Sequence, residues 1–469
     1  MQLHDTLTRR LETLEPLEAG HVRVYTCGPT VYDFAHIGNF RTYVWEDLLR
    51  RTIRHLGYRI TQVMNITDVE DKIIAKAMAG GATMEAVTEP FITAFFEDLD
   101  VLRIERAEHY PRATGHVPEM IEIASRLREN GHTYESQGSL YFRIASFEGY
   151  GRLSHLDRRE IRVGARVDSD EYDKEDARDF VLWKGERPGE PAWDSPFGRG
   201  RPGWHLECSA MSMKYLGESF DLHTGGVDNI FPHHENEIAQ SEGATGHPFV
   251  KYWMHAAHLM VDGEKMAKSR GNFYTVRDLV AKGHDARALR YLLLTTHYRT
   301  PLNFTFDALA RAGGELARFD ALHARFAESP RPAGRDAGFD AKVVAIEAEV
   351  RAALSDDLNV SGAGGALFRL VREANAALDR NELPAESAAD LRAVLGRLDA
   401  VFGVIAPNAP ELLDPEIEAL IASRQDARKA KNFLESDRIR DLLAAQGIVL
   451  EDTPLGVRWR RAVASPDRS

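Results

Sequence analysis

The stretch from residue 22 to residue 66 constrains the fold of this 469-residue chain more than any other. Residues 22–29 are mostly apolar and β-branched and stop at a Gly-Pro pair, which predicts a short buried strand. Residues 40–56 carry apolar side chains at helical spacing, and residues 60–66 predict a second strand. Strand, tight loop, helix and strand form a βαβ unit, so the sequence predicts a parallel α/β sheet.

The β/α pattern is interrupted in the middle of the chain and then resumes. Residues 117–130 have helical spacing, whereas the charged stretch 167–178 is predicted to be irregular or β-like. The pattern returns with a helix at 204–215, a strand at 219–223 and a helix that starts at Pro232. The middle region is therefore predicted to be inserted between two halves of the sheet.

The C-terminal third is predicted to be mainly helical. From about residue 306 onward, apolar residues recur every 3.6 positions, and Pro/Gly clusters interrupt the pattern at 329–338 and 406–415. We expect an α-helical bundle, a linker and a small terminal module. Within that module, residues 427–440 predict one amphipathic basic helix and residues 447–460 a β-hairpin with an exposed tryptophan.

Composition limits the classes of function. The chain is 43% hydrophobic and 28% charged, has no apolar run long enough to cross a bilayer and no signal-peptide pattern at its start. We expect a soluble cytoplasmic protein that makes no use of a membrane. A net charge of -13 argues against non-specific nucleic-acid binding by the whole surface. The last 49 residues, however, hold ten Lys/Arg and seven Asp/Glu, which permits a polyanion partner at that end.

Two short motifs can bind phosphate. A His-Ile-Gly-Asn tetrapeptide that starts at His36 and ends at Asn39 lies at the start of the first helix, where backbone N–H groups and the helix dipole favour anions. Lys265 and Lys268, in Lys-Met-Ala-Lys-Ser, can both reach a triphosphate. Taken singly, a capping histidine and a solvated charge run are the alternative interpretations.

Together the two motifs resemble the signature pair of class I aminoacyl-tRNA synthetases, His-Ile-Gly-His and Lys-Met-Ser-Lys-Ser. This chain departs from the pattern at Asn39 and at Ala267, where a loop-ordering hydroxyl is lost. The resemblance implies phosphate contacts from His36, Lys265 and Lys268, and neither departure removes them.

A glycine pair lies between the two motifs. Gly225 and Gly226 end the predicted strand and Asp228 follows, so a ligand can approach the backbone and a carboxylate can bind ribose hydroxyls. The resemblance implies an adenosine site at these three residues. An ordinary Gly-Gly turn with an Asx cap is the alternative.

The two cysteines of the chain, Cys27 and Cys208, fit a reducing compartment and are available for a metal. His233 and Glu237 are four residues apart on a predicted helix and share one face, so two thiolates, one imidazole and one carboxylate make a suitable zinc set. Two unrelated buried thiols are the alternative. Three further side chains compete as ligands: His223, His234 and Glu235.

The full pattern over residues 22–460 resembles the cysteinyl-tRNA synthetase family. The resemblance implies a zinc ion held by Cys27, Cys208, His233 and Glu237 that binds the substrate thiolate. Serine has only a hydroxyl, a far poorer ligand for a soft metal, so no editing domain is expected. The implied substrate pocket comprises Cys27, Gly28, Thr67, Trp204 and His223.

The resemblance also implies the reaction. The carboxylate of L-cysteine attacks the α-phosphate of ATP, with Mg²⁺ on the phosphates, and the 3′-terminal adenosine of tRNA(Cys) then accepts the cysteinyl group. His36 would act on the α-phosphate and Lys268 on the pyrophosphate, with Asn39 and Lys265 completing the catalytic set. The terminal module resembles an anticodon-binding tail, for which a packed module without RNA is the alternative. Its implied contacts are Arg428, Asp437, Arg440, Asp452, Arg458 and Trp459.

The predicted architecture is a class I synthetase-type, Rossmann-like parallel sheet with an inserted domain, a helical bundle and a small mixed α/β anticodon-binding domain, in a monomer. Three other functions are compatible with part of the pattern: a cysteine:amino-sugar ligase, a zinc hydrolase and a non-catalytic tRNA-binding protein. The predicted segments are 1–112 and 201–228 (catalytic halves), 113–200 (inserted domain), 229–308 (stem-contact region with the lysine loop), 309–405 (bundle) and 415–469 (anticodon-binding domain).

Overall fold

The computed structural model describes residues 1–156, 179–327, 331–407, 415–445, 448–453 and 456–461. The predicted irregular stretch 167–178 lies outside these ranges. The chain forms two compact units, one of residues 1–275 with 287–406 and one of residues 276–286 with 407–469. None of the helices described is both long and apolar enough to cross a membrane.

Strands and helices are mixed up to residue 304, and after it the described elements are helices apart from one terminal hairpin. The strands are β1 (Gln2–Asp5), β2 (Arg10–Thr13), β3 (His21–Thr26), β4 (Arg59–Met64), β5 (Thr133–Ser136), β6 (Ser139–Phe142), β7 (Phe180–Gly185), β8 (Gly200–Pro202), β9 (Phe220–Gly226), β10 (Val250–Ala256), β11 (Leu259–Val261), β12 (Glu264–Lys265), β13 (Leu302–Phe304), β14 (Ile448–Thr453) and β15 (Gly456–Arg461). The helices are α1 (Ile37–His55), α2 (Asp71–Gly80), α3 (Met84–Val101), α4 (Val117–Glu129), α5 (Trp204–Leu216), α6 (Glu235–Thr245), α7 (Val276–Ala281), α8 (Ala286–Thr295), α9 (Phe306–Ala327), α10 (Ala337–Ser355), α11 (Val360–Asp379), α12 (Ala385–Phe402), α13 (Pro415–Lys429) and α14 (Phe433–Ala445).

The central sheet is parallel and has the strand order β10-β9-β3-β4. Strands β3 and β9 are neighbours although nearly two hundred residues separate them, with Tyr25 opposite His223. The predicted parallel α/β sheet is therefore confirmed. Because parallel strands end at one edge, the residues that follow β3 and β9 lie close together.

Helix α1 connects β3 to β4 and begins with a reciprocal cap. The ring Nδ1 of His36 accepts a hydrogen bond from the backbone N–H of Asn39 at 3.1 Å, and the Asn39 side chain accepts one from the backbone N–H of His36 at 3.0 Å. This pattern satisfies two of the otherwise unpaired N–H groups of the first turn. The helix buries Phe40, Val44 and Leu48 and starts three residues before the predicted position.

The region between β4 and β9 contains a smaller antiparallel sheet of order β5-β6-β7-β8. It shares one apolar core with the central sheet, since Val63 of β4, Trp183 of β7 and Leu206 of α5 belong to the same buried cluster. The inserted strands thereby hold α5 against the sheet edge. After the second half of the sheet, α10 packs on α11 and α12, and the predicted helical bundle is confirmed.

Two buried arginines tie α1 to α8. Arg41 donates to the carbonyls of Thr296 and His297, both at 2.9 Å, just beyond the C-terminal end of α8. Arg290 is fully buried and contacts Asp47 at 2.5 Å and the Phe402 carbonyl at 2.8 Å. Asp47 is the shared acceptor, because Arg51 also donates to it at 2.8 Å.

The second unit is a helical hairpin followed by the predicted β-hairpin, in which β14 and β15 pair antiparallel. The prediction of one continuous helix over 427–440 is wrong. Helix α13 ends at Lys429, Lys431 has a positive φ of 58°, and the Asn432 side chain accepts the N–H of Glu435 at 3.2 Å at the start of α14. Asparagine at this position favours a new N-terminus over continuation, and an Asn-x-x-Glu spacing was present in the sequence.

We expect Asp47→Ala to lower the free energy of unfolding by about 3–5 kcal/mol, because it removes the carboxylate that pairs with the buried guanidinium of Arg290 and leaves Arg51 paired with Glu105 alone. Chemical denaturation measures this change. Asp307→Ala, on the exposed first turn of α9, is the matched control and should cost less than about 1 kcal/mol. Equal effects of the two substitutions would contradict the assigned role of Asp47.

Candidate metal and nucleotide site

Four side chains from distant segments meet beyond the carboxyl ends of β3 and β9. Cys27 follows β3, Cys208 lies in α5, His233 precedes α6 and Glu237 lies in its first turn. Their ligand atoms all lie within 4.8 Å of one another. Cys208, His233 and Glu237 are at most 3% exposed, whereas Cys27 is half-buried.

The segment before α6 differs from the prediction in one detail. The regular helix begins at Glu235 and not at Pro232, and Ile230–His234 forms a wider helical turn in which Phe231 is extended. His233 and Glu237 nevertheless face each other, with His233 Nε2 3.1 Å from Glu237 Oε1.

A second group of potential ligands overlaps the first. Cys27 and Glu237 also lie within 4.8 Å of His223 and His234. His223 Nε2 is 2.9 Å from Glu237 Oε2, and His234 is bonded on both nitrogens, to Cys27 Sγ at 3.2 Å and to His255 Nε2 at 2.8 Å. Only the first group contains both thiols, and zinc binds thiolate readily.

Glu235, the third competing ligand from the sequence, has another role. Its carboxylate accepts backbone N–H groups from Gly151 at 2.8 Å, Leu153 at 3.1 Å and Ser154 at 2.8 Å. Three hydrogen bonds from one loop occupy both oxygens. Glu235 therefore orders the loop 151–154 and is not directed at the cluster.

The cluster brings four ionisable groups together in a buried place. The hydrogen bond from Cys27 and the charge of His233 hold the pKa of Cys208 well below its usual value, whereas burial raises the pKa of Glu237. Burial alone lowers the pKa of His233, but the charges of Cys208 and Glu237 raise it overall. His233 Nε2 lies 3.1 Å from Glu237 Oε1, but no residue that the structure describes donates a hydrogen bond to this oxygen. A divalent cation fits this donor set, because it would stabilise the ionised thiols and carboxylate and would take the oxygen that accepts no hydrogen bond.

Two histidines that the sequence analysis missed orient the cluster. His205 Nδ1 is 2.8 Å from His233 Nδ1, and the pKa of His205 is well below normal because the ring is buried. His255 links His234 to the Thr6 hydroxyl, which is 2.8 Å from His255 Nδ1. Such contacts fix the tautomer and direction of ligand imidazoles. Neither residue stands in a recognisable motif, so only the fold reveals them.

The predicted substrate pocket adjoins Cys27. A Cβ on Gly28 would lie 1.8 Å from the Asn65 carbonyl oxygen, so only glycine fits there. Thr67 is buried, and its hydroxyl donates to Glu207 at 3.0 Å. The Trp204 ring stacks on His233 with centroids 4.6 Å apart while 41% of Trp204 stays exposed.

The two predicted phosphate motifs meet on the same edge of the sheet. The N–H of Ile37 donates to the Tyr274 carbonyl at 2.9 Å, and the rings of His36 and Phe273 are 5.2 Å apart. A Cβ on Gly38 would lie 3.0 Å from Met266 Cε, so glycine allows the lysine loop to lie on the turn. Lys265 is exposed on β12, and Lys268 is exposed in the turn that follows.

The glycine pair ends β9 beside the cluster of Cys27, Cys208, His233 and Glu237. A Cβ on Gly225 would lie 2.9 Å from His234 Cε1, and one on Gly226 would lie 2.4 Å from Asp228 Oδ1. The Asn229 side chain accepts the N–H of Gly226 at 3.1 Å and so closes the turn that follows the glycine pair. Asp228 itself is exposed, so its carboxylate is accessible to a ligand.

The predicted tRNA-contacting residues lie in the second unit. Arg440 pairs with Asp437 at 3.1 Å and with Asp441 at 3.2 Å on the surface of α14, and Arg428 lies near the end of α13. The side chains of Asp452, Arg458 and Trp459 lie outside the described part of the structure. Their backbones belong to β14 and β15.

Comparisons with known proteins give consistent matches along the chain. Residues 13–314 match the family described as tRNA synthetases class I (C) catalytic domain, residues 349–406 the DALR domain, and residues 411–460 the cysteinyl-tRNA ligase anticodon binding domain. Curated proteins named cysteine–tRNA ligase from Solibacter usitatus and Leptospira interrogans serovar Lai are 49% and 47% identical to it, each over 98% of this chain and 99% of theirs.

Two solved structures share the fold at low sequence identity. Methionyl-tRNA synthetase from Mycobacterium tuberculosis, in complex with methionyl-adenylate, superposes with a TM-score of 0.59 at 16% identity, over 83% of this chain and 94% of that one. A leucyl-tRNA synthetase ternary complex from Agrobacterium radiobacter also gives 0.59, at 11% identity, over 85% and 86%. These likenesses establish the class I synthetase fold.

We expect Glu235→Ala to lower the free energy of unfolding by about 3 kcal/mol or more, since it leaves three backbone N–H groups without their acceptor. Metal content should stay at the wild-type level, and elemental analysis measures it. Glu122→Ala, on the exposed face of α4, serves as the control for loss of a carboxylate. Loss of metal with unchanged stability would instead make Glu235 a ligand.

Proposed function

Because the chain belongs to the cysteine–tRNA ligase family of class I aminoacyl-tRNA synthetases, we propose that it selects L-cysteine with a zinc ion held by Cys27, Cys208, His233 and Glu237. Its activity is the ATP-dependent ligation of cysteine to tRNA. The alternative of a cysteine:amino-sugar ligase is not favoured, because residues 411–460 match an anticodon-binding domain.

One observation carries the metal proposal: four suitable ligand atoms from distant segments lie within 4.8 Å of one another. When bound, zinc supplies a soft Lewis acid that prefers thiolate to hydroxyl, which would separate cysteine from serine. The half-buried Cys27 and the partly exposed Trp204 leave one side of the cluster accessible to a substrate. Thr67 and His223 would line the cysteine pocket beside this cluster. Gly28 would border it, because its lack of a side chain lets the backbone pass close to Asn65.

For activation we propose that His36, Asn39 and Lys268 act on the phosphates of Mg²⁺-ATP. The pKa of His36 is below normal because the ring is largely buried, so the imidazole is neutral. Its Nδ1 accepts the Asn39 N–H, which puts the ring proton on Nε2, where it can be donated to an α-phosphate oxygen. Such fixed donors stabilise charge that develops in the transition state.

The remaining contacts follow the same edge of the sheet. Gly225, Gly226 and Asp228 would hold the adenosine, Lys265 and Lys268 the outer phosphates, and the attacking cysteine carboxylate would lie between the two groups. Positioning and charge stabilisation are sufficient for this chemistry, so no protein nucleophile is needed.

For tRNA(Cys) we propose that the second unit provides the anticodon contacts through Arg428, Asp437, Arg440, Asp452, Arg458 and Trp459. The match of residues 411–460 to an anticodon-binding domain supports this assignment. We further propose that the protein is a cytoplasmic monomer and keeps the six segments given above, with residues 113–200 as the inserted domain and 229–308 as the stem-contact region.

We expect Lys268→Ala to lower cysteine-dependent ATP–pyrophosphate exchange by at least about 10-fold, because it removes a positive charge from the leaving group. Lys342→Ala, which removes an equally exposed lysine of α10, is the matched control and should leave the exchange unchanged. An unaltered rate in the Lys268 variant would refute the role given to that residue.

We expect Cys208→Ser to lose zinc and cysteine activation together, because serine replaces a thiolate by a poor ligand for a soft metal. Elemental analysis and cysteine-dependent exchange are the two measurements. Ser212→Ala, one turn further along α5 and equally buried, should keep both. Full activation of cysteine by a metal-free variant would disprove the zinc proposal.

A further inference from the structure

Asp33 lies opposite Lys268 although it belongs to neither phosphate motif. Its carboxylate oxygen Oδ2 forms an ion pair with the ammonium of Lys268 across a sequence separation of 235 residues. The side chains of Asp33 and Lys268 are 33% and 59% exposed. The contact therefore lies at the surface, where a ligand can compete for it.

The rest of the lysine loop rests on the His-Ile-Gly-Asn turn through neutral contacts. The backbones of His36 and Thr275 form an antiparallel bridge, and the N–H of Ile37 donates to the Tyr274 carbonyl. Near the tip of the loop, Arg270 pairs with Glu264 of the same hairpin. The Asp33–Lys268 pair is thus the ionic contact that joins the loop tip to the segment before α1.

The geometry around Asp33 directs one oxygen at the loop. Asp33 Oδ1 accepts the backbone N–H of Phe34 at 2.9 Å, which leaves Oδ2 for Lys268. Partial burial, the largest single effect, raises the pKa of Asp33, but the hydrogen bonds from Lys268 and the Phe34 N–H and the charges of Lys268 and Lys76 together lower it below its usual value. The carboxylate is accordingly ionised at neutral pH. Lys76, the other nearby cation, donates to the Tyr32 carbonyl at 3.1 Å.

We propose that Asp33 is a positioning residue for Lys268: in the nucleotide-free protein its carboxylate holds the ammonium beside the phosphate turn, and ATP takes Lys268 by replacing one anionic partner with another. The inference rests on the proposed contact between Lys268 and the phosphates. In this proposal Asp33 keeps the lysine loop closed before ATP binds, and ATP must displace the Asp33 carboxylate from Lys268.

The exchange has a thermodynamic consequence. If ATP binding breaks the Asp33–Lys268 pair, the free energy of that pair is subtracted from the affinity for ATP. Exposed ion pairs are weak and are screened by salt, so the effect is a few-fold and shrinks as ionic strength rises. Once Lys268 has moved to the phosphates, Asp33 is no longer its partner, and the rate of the chemical step should not depend on it.

The direct test is Asp33→Asn, which removes the charge and keeps the shape. We expect the Kd for a non-hydrolysable Mg²⁺-ATP analogue to fall by about 3- to 5-fold and kcat of cysteine-dependent exchange to stay within about twofold of the wild type. Asp33→Glu should return the Kd toward the wild-type value. Asp262→Asn, which removes an exposed charge beside β12, is the matched control and should change neither quantity.

A second readout follows the loop itself. Lys265, Lys268 and Arg270 are trypsin sites, and a loop held by Asp33 should be cut slowly without nucleotide. We expect Asp33→Asn to raise the rate of cleavage in this loop at least about threefold without nucleotide. The reason is that an exposed ion pair shifts the equilibrium between the held and the released loop by a few-fold. With the ATP analogue bound, the two proteins should be cut at the same rate. If the wild type and Asp33→Asn were cut at the same rate without nucleotide as well, the proposal would be overturned.

A double-mutant cycle separates this inference from the proposed function. In the Lys268→Ala background, Asp33→Asn should leave the Kd unchanged. The same decrease in both backgrounds, or a rise in Kd with Asp33→Asn alone, would overturn the role of Asp33 while leaving the nucleotide site intact. If Lys268→Ala itself leaves exchange unaltered, the proposed function of Lys268 is what fails.

Discussion

Burial of ionisable side chains at the carboxyl edge of a parallel sheet is the constraint on which this structure depends. Cys208 and Glu237 are almost fully enclosed, and the environment that would normally solvate them has been replaced by imidazole and indole rings. Leaving such a group uncompensated costs several kcal/mol. A bound cation or a shared proton would offset this cost, and the zinc ion proposed above would do so while also binding the substrate thiolate.

Sheet topology brings the cluster together. Since β9 pairs with β3, Thr224 lies directly opposite Thr26, and the chain leaves both strands at one edge. The inserted segment positions the side of the cluster that α5 provides. Its strands pack on the same apolar core as α5 and so hold Cys208 toward Cys27. Glu235 then ties the loop 151–154 to the base of α6. Trp204 remains partly exposed beside His233.

Much of this arrangement could be predicted from the sequence, because local patterns carry it. The βαβ start, the cap at His36, the glycine pair and the spacing of His233 and Glu237 all depend on neighbours within a few residues. His205, His255 and Asp33 could not be found in this way, because their partners are distant in sequence and are set by tertiary packing. The break after Lys429 was readable from Asn432, but basic residues that recur on both sides of it, from Arg428 to Arg440, favoured a single helix.

Helix α1 has a mechanical property that follows from its two anchors. It is 19 residues long, about 28 Å at 1.5 Å per residue, and His36 caps its N-terminal end. Arg290 clamps its middle, through Asp47, to the carbonyl of Phe402 at the end of the bundle. The backbone hydrogen bonds keep such a helix rigid along its length. A small tilt of the bundle would therefore displace the His-Ile-Gly-Asn turn at the start of the helix.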